Sequence, residues 1–136
     1  MAVKLLTAVR TSIMNEVKDA IDAGGAPAVI RIYTGSQPAN PGAAATGTLL
    51  AENVLSYPCG TVTDGVLVFD AINEDEYANN TGTAAWARIS TSAGQAVLDC
   101  SCSVAGGAGD LQLNTTNIVI NGPIRYVALQ ITAPGA

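Results

Sequence analysis

From Pro27 onward the chain is cut into short stretches by glycine, proline and asparagine, and residues between the cuts alternate in character. That pattern admits strands and disfavours long helices, because a strand sends successive side chains to opposite faces while a helix repeats every 3.6 residues. AVIRIYT (28–34) alternates, with Ile30 and Ile32 on one face and Val29, Arg31 and Tyr33 on the other. GSQPANPGAAATG (35–47), with two prolines, three glycines and a run of alanines, follows as a long loop. TLLAENVLSY (48–57) is the next strand and breaks at Pro58-Cys59-Gly60. TVTDGVLVFD (61–70) places Asp64-Gly65 between β-branched runs, a hairpin signal. AINEDEYANNTG (71–82) is polar and acidic and reads as a loop.

A second hairpin follows. In AAWARIS (84–90) Trp86 and Arg88 share one face, and Ala85, Ala87 and Ile89 the other. Residues 92–95 turn the chain, and AVLDCSCSV (96–104) returns with Leu98, Cys100, Cys102 and Val104 aligned opposite Asp99, Ser101 and Ser103. AGGAGD (105–110) reads as a flexible link. LQLN (111–114), NIVIN (117–121) and IRYVALQIT (124–132) complete the strands, the last two joined at Gly122-Pro123, with Val127, Leu129 and Ile131 expected to face inward. About eight strands at intervals of about ten residues predict a mainly β protein, an antiparallel β-sandwich or jelly roll. No helices alternate with the strands, which excludes a parallel α/β sheet.

One amphipathic α-helix precedes the strands. Val9, Ile13, Val17 and Ile21 recur every four residues, with Met14 and Ala20 widening the stripe. Thr11 or Ser12 is placed to cap its start, and Gly24-Gly25 followed by Pro27 ends it. The chain therefore divides into an N-terminal helical arm or lid (1–25) and a β-sandwich (26–136), within a single domain. The helix has two available roles: a lid over an open end of the sandwich, or an arm that packs on another subunit.

Composition narrows the function. Of 136 residues, 23 are Ala and 14 Gly, and charged residues make up 12%, about half of the usual ~25% share. So little charge over so much small apolar material points to a surface that packs against neighbours. The net charge is −5, and the six scattered basic residues form no stripe that could follow a phosphate backbone, which argues against nucleic-acid binding. Arg10 and Glu16 interrupt the apolar N-terminus, so no signal-peptide h-region is expected, and no stretch approaches the ~18 apolar residues of a membrane helix.

Reactive chemistry is sparse. Histidine is absent and G-x-S-x-G does not occur, so neither the commonest general base nor a nucleophile elbow is available. Cys100 and Cys102, two apart on one strand face, are poorly placed for a mutual disulfide, and with distant Cys59 they make a poor zinc set. They read as buried apolar thiols. The acidic run Asn73-Glu74-Asp75-Glu76 suits a solvated loop better than calcium, because Ile72 falls where an EF-hand loop beginning at Asp70 needs a ligand. GGAG (106–109) lacks the Lys-Ser/Thr of a phosphate loop. No catalytic, metal or cofactor site is expected. Trp86 reads first as a core or hairpin anchor and second as part of an interface.

Three segments, IRIYTGSQPANPGAAATGTLLAENVLS (30–56), GTAAWARISTSAGQAVLDCSCSV (82–104) and DLQLNTTNIVINGPIRYVALQITAP (110–134), together resemble small virion proteins of tailed bacteriophages that cement or decorate the capsid. The resemblance covers about two thirds of the chain and rests on order and texture: the Pro/Ala/Gly loop, the G-T-A-x-W-x-R strand, the D-L-x-L step and the closing strand. It implies a compact β-sandwich of jelly-roll type, without enzymatic activity, on the outer surface of an assembled head, made in the bacterial cytoplasm. Its partners would be the major capsid protein and further copies of itself, as a dimer or trimer. Candidate contact residues are the helix stripe Ile13, Met14, Val17 and Ile21, Pro38 and Pro41 in the long loop, and Trp86 and Arg88 on the hairpin. Two other readings compete: a tail or fibre protein whose sandwich binds host glycan, and a small glycan-processing enzyme using carboxylates such as Asp99 and Asp110.

Overall fold

The computed structural model describes residues 2–74 and 77–136. One helix, α1 (Thr7–Ile21), is followed by β1 (Val29–Tyr33), β2 (Leu49–Val54), β3 (Gly60–Thr63), β4 (Val66–Phe69), β5 (Gly82–Thr83), β6 (Trp86–Ser90), β7 (Ala96–Val104), β8 (Leu111–Leu113), β9 (Asn117–Ile118) and β10 (Tyr126–Thr132). Eight strands form one curled sheet, a half-barrel, in the order β2-β1-β6-β7-β8-β10-β4-β3, and β5 and β9 form a separate ribbon. The protein is thus mainly β with one helix, as expected. The strands, however, belong to one continuous sheet and are not antiparallel throughout, because β7 and β8 run parallel.

That parallel pair is unusual in its connection. Parallel neighbours generally need a crossover of a dozen or more residues, whereas here residues 105–110 suffice. The return is so tight that a Cβ on Gly109 would stand 2.5 Å from the Ser103 nitrogen. Glycine serves close approach here, and the segment expected to be a flexible link is fastened throughout. Gly109 N donates to Ser103 Oγ (3.0 Å), Gln112 bonds the backbone of Gly106 and Gly107, and Asp110 Oδ2 accepts from both the backbone and the hydroxyl of Ser101.

The inner faces of both arms of the sheet share one core. Ile30 and Ile32 of β1, Ala87 and Ile89 of β6, Leu67 and Phe69 of β4, Leu111 and Leu113 of β8 and Leu129 of β10 belong to it, as do Met14 and Ile21 of the helix. In β10 the expected inward trio is corrected. Leu129 is buried and Ile131 half-buried, but Val127 is 49% exposed and Tyr126 takes its place inside. The ladder with β8 slips between Tyr126 and Ala128, and the extra residue of a bulge is turned out of the alternation.

The helix begins one turn earlier than its polar residues suggested. Leu6 is the N-cap and supplies no side-chain bond. Thr11 Oγ1 instead accepts from Gly65 N at the β3–β4 turn (3.0 Å), and Ser12 Oγ donates back to Ala8 O. The buried stripe is Arg10, Met14 and Ile21, with Ile13 and Val17 half-buried against the core, while Val9 is exposed. Arg10 lies on the apolar side because its guanidinium donates to the carbonyls of Ala133 and Pro134. The helix packs on β3, β4 and β7 of its own chain, so Met14 and Ile21, offered as contacts for another subunit, are core residues.

Candidate protein-binding face

The outer face of the β2-β1-β6-β7 arm is built in rows that the strand register sets. One row crosses all four strands as Glu52, Arg31, Arg88 and Asp99, each opposite the next. Two arginines directly opposed would repel. Each is neutralised by its outer neighbour: Arg31 Nε reaches Glu52 Oε2 at 2.6 Å, and Arg88 grips Asp99 with two bonds of 2.7 and 3.0 Å. The second pair is nearly sealed from water, with side chains 11% and 2% exposed. The bidentate bond to Asp99, ahead of the opposing effect of burial, holds the Arg88 proton more tightly than usual.

The adjacent row is Leu49, Tyr33, Trp86 and Ser101. Tyr33 and Trp86 stack with ring centroids 4.7 Å apart and planes 17° from parallel, and the Arg88 guanidinium carbon lies 5.4 Å from the Trp86 ring. Trp86 is 1% exposed, and its indole N–H donates to Thr34 O at 3.1 Å. Both faces of β6 are therefore covered, one by the core and the other by the chain between β1 and β2.

That chain is the long loop, residues 35–48, and it is held down at several points. Arg88 Nη1 donates to Ala43 O at 2.8 Å, and Ala43 N closes a turn onto Asn40 O across Pro41-Gly42. At the neck Thr34 and Thr48 bond each other through backbone and hydroxyl, and Thr46 Oγ1 donates to Ser36 O. Gly47, at φ +85°, passes so close that a Cβ would sit 2.1 Å from Thr34 O. No residue from 35 to 48 is charged. Of the predicted contact residues, Met14, Ile21 and Trp86 are buried, whereas Ile13 and Val17 on the helix and Pro38 and Pro41 in this loop are half-buried; Trp86 and Arg88 form the support beneath the loop.

Other candidate chemistry has structural duties. Asp99 is bound by Arg88, and Asp110 fastens the β7–β8 return. All three cysteines are free thiols. Burial pushes Cys59 and Cys102 up to about 12 and Cys100 well above its ordinary value, which keeps them protonated and weakly nucleophilic. No helix is long and apolar enough to cross a membrane, and no group of three metal-ligating side chains is found among the described residues. Of the acidic run, Asp75 and Glu76 lie outside those residues; Glu74 pairs with Arg125 at 3.3 Å.

The charge row and the loop clamp escaped sequence reasoning because they depend on pairing across β2, β1, β6 and β7, which are not consecutive. The one available signal was the placement of Trp86 and Arg88 on a common face. Compared with known proteins, the chain matches no family model, no curated protein and no solved structure.

Proposed function

We propose that this is a structural virion protein that binds the outer surface of an assembled phage head and cements neighbouring major capsid protein subunits, without catalysing a reaction. The observation that carries the reading is the clamped loop: an uncharged surface of small residues, rigidly backed by stacked rings and a buried ion pair. Small, charge-free side chains lose little rotamer entropy on docking, and a loop already fixed has little ordering left to lose. Repeated over many copies on a shell, modest contacts of this kind sum to large avidity. In this reading the two arms of the curled sheet act as the layers of a sandwich of jelly-roll type, with the covered arm turned toward the shell. The protein would act as a dimer or trimer with further copies of itself.

The test is co-sedimentation of the purified protein with expanded, DNA-free shells of the major capsid protein from the same phage, followed by heating of the decorated shells. Decorated shells should open at a higher temperature than bare ones. Gly47→Ala, which forces the loop off the sheet, should keep the β-rich circular dichroism spectrum and bind shells at least about 10-fold more weakly, the equivalent of about 1.4 kcal/mol. Absence of wild-type binding overturns the proposal.

A further inference from the structure

Strand β10 changes partners along its length. Its first half pairs with β8 as far as Leu129–Leu111, with one further bond from Gln130 N to Asp110 O (3.4 Å). Residues 130–132 pair with β4 on the other side. Backbone groups of an antiparallel strand alternate in direction, so the N–H and C=O of Thr132 point the same way as those of Gln130, past the end of β8. Among the described residues no strand lies opposite them. The β7–β8 return stands there instead. Between it and β10 is a recess of about 430 Å³, lined by residues 107–109 and by Asp110, Gln112, Ala128, Gln130 and Thr132.

The lining is polar, and part of it is fixed in advance. Asp110 Oδ2 accepts from the backbone and hydroxyl of Ser101, and Asp110 N donates back to Ser101 Oγ (3.1 Å). The carboxylate is thereby oriented, with Oδ1 left without a partner among the described residues. Gln112 accepts from Gly106 N and donates to Gly107 O, which leaves one N–H and one lone pair of its amide unused. The exposed side chains of Gln130 and Thr132 have no partner among the described residues, and exposed Ala128 makes an open floor. No Lys or Arg lines the recess, so nothing there offsets the Asp110 charge against an anionic ligand. One carboxylate is also too few for a hard cation. The volume falls within the ~300–1,000 Å³ of small-ligand pockets. Interleaved donors and acceptors over a small floor suit a neutral ligand with adjacent hydroxyls, each of which both donates and accepts.

We propose that this recess binds a neutral hexopyranose residue of a glycan. Asp110 Oδ1 and the Thr132 carbonyl accept from its hydroxyls, while Gln112 and the Thr132 N–H donate to them. The inner faces of the two arms share one core, so their outer faces point away from each other. With the clamped loop on a shell, the recess faces the medium, although the site does not depend on the cementing role. The test is proton–nitrogen correlation NMR of the purified chain, titrated separately with methyl α-glucoside, methyl β-galactoside and methyl N-acetyl-β-glucosaminide. At least one should shift the amides of Asp110, Gln112 and Thr132 together, with a Kd on the order of 1 mM. The matching glucuronoside, which sets a second carboxylate against Asp110, should bind about 10-fold more weakly. Ala128→Phe and Q130A/T132V alter exposed side chains and should melt as the wild type does. Filling the floor with Ala128→Phe should abolish the shifts, and Q130A/T132V should raise Kd about 10-fold. No shift with any glycoside at about 10 mM, ten times the expected Kd, overturns the proposal. So do shifts that survive Ala128→Phe, or a glucuronoside that binds equally well. Shifts with acetyl-trialanine amide in place of the sugars likewise overturn it, assigning the open Thr132 backbone to an extended peptide.

Discussion

Arg88 shows how one side chain can join two parts of a fold. Its guanidinium bonds Asp99 on the neighbouring strand, the carbonyl of Ala43 in the loop above, and lies over Trp86. Taking both charges out of water is costly, and the pair is retained by its geometry. Removing either partner strands a buried charge. Asp99→Ala and Arg88→Met should each destabilise the protein by about 3 kcal/mol, whereas the double replacement R88M/D99L should come within about 1–2 kcal/mol of wild type. Urea unfolding of the four proteins gives the coupling directly; strictly additive losses would show that the pair contributes little. Alternation alone put Trp86 and Arg88 on one face. It could not identify their partners, because Tyr33 and the Ala43 carbonyl come from a segment more than forty residues away along the chain.

At the level of the element, α1 departs most from its sequence pattern. The four-residue spacing of Val9, Ile13, Val17 and Ile21 located the helix and its general face, but the buried stripe is rotated toward Arg10 and Met14. An arginine counts as polar in any periodicity argument, yet this one lies buried because two carbonyls of the C-terminal tail wait for it. The start of the helix was likewise sought at Thr11 or Ser12, when the chain begins it at Leu6 with no side-chain cap. Leu6 is 73% exposed, with φ −59° and ψ 140°, a backbone suited to a capping residue. Leu6→Asp should therefore supply the missing acceptor and a favourable charge at the helix N-terminus. The expected gain is about 1 kcal/mol, read as a rise of about 3 °C in Tm; an unchanged Tm would mean that the first turn frays regardless.

For the whole molecule, the three thiols set a limit at high pH. Each has its pKa raised in the folded state, mainly by burial, Cys59 and Cys102 to about 12 from an ordinary 9. The folded state thus holds protons that the unfolded chain releases. The corresponding stability is whole below about pH 9 and is lost as pH rises toward 12, with a slope of up to about 1.4 kcal/mol per pH unit for each thiol. Cys102→Ala should flatten the fall in unfolding free energy between pH 9 and 11, measured by urea titration; an unchanged slope would exclude that thiol. Much of the molecule was legible beforehand: every main strand of the sheet, the Asp64-Gly65 hairpin and the burial of Cys59 and Cys100, though not of half-buried Cys102, follow from alternation, turn chemistry and hydropathy, all of which act between near neighbours. The tertiary structure alone decided that the strands make one curled mixed sheet, that β7 and β8 run parallel, that the long loop lies clamped over Trp86, and that Val119 and Ile120 face solvent. Those outcomes depend on which distant strands pair and in what register. Several pairings satisfy the same local pattern, and only the packing of the shared core selects among them.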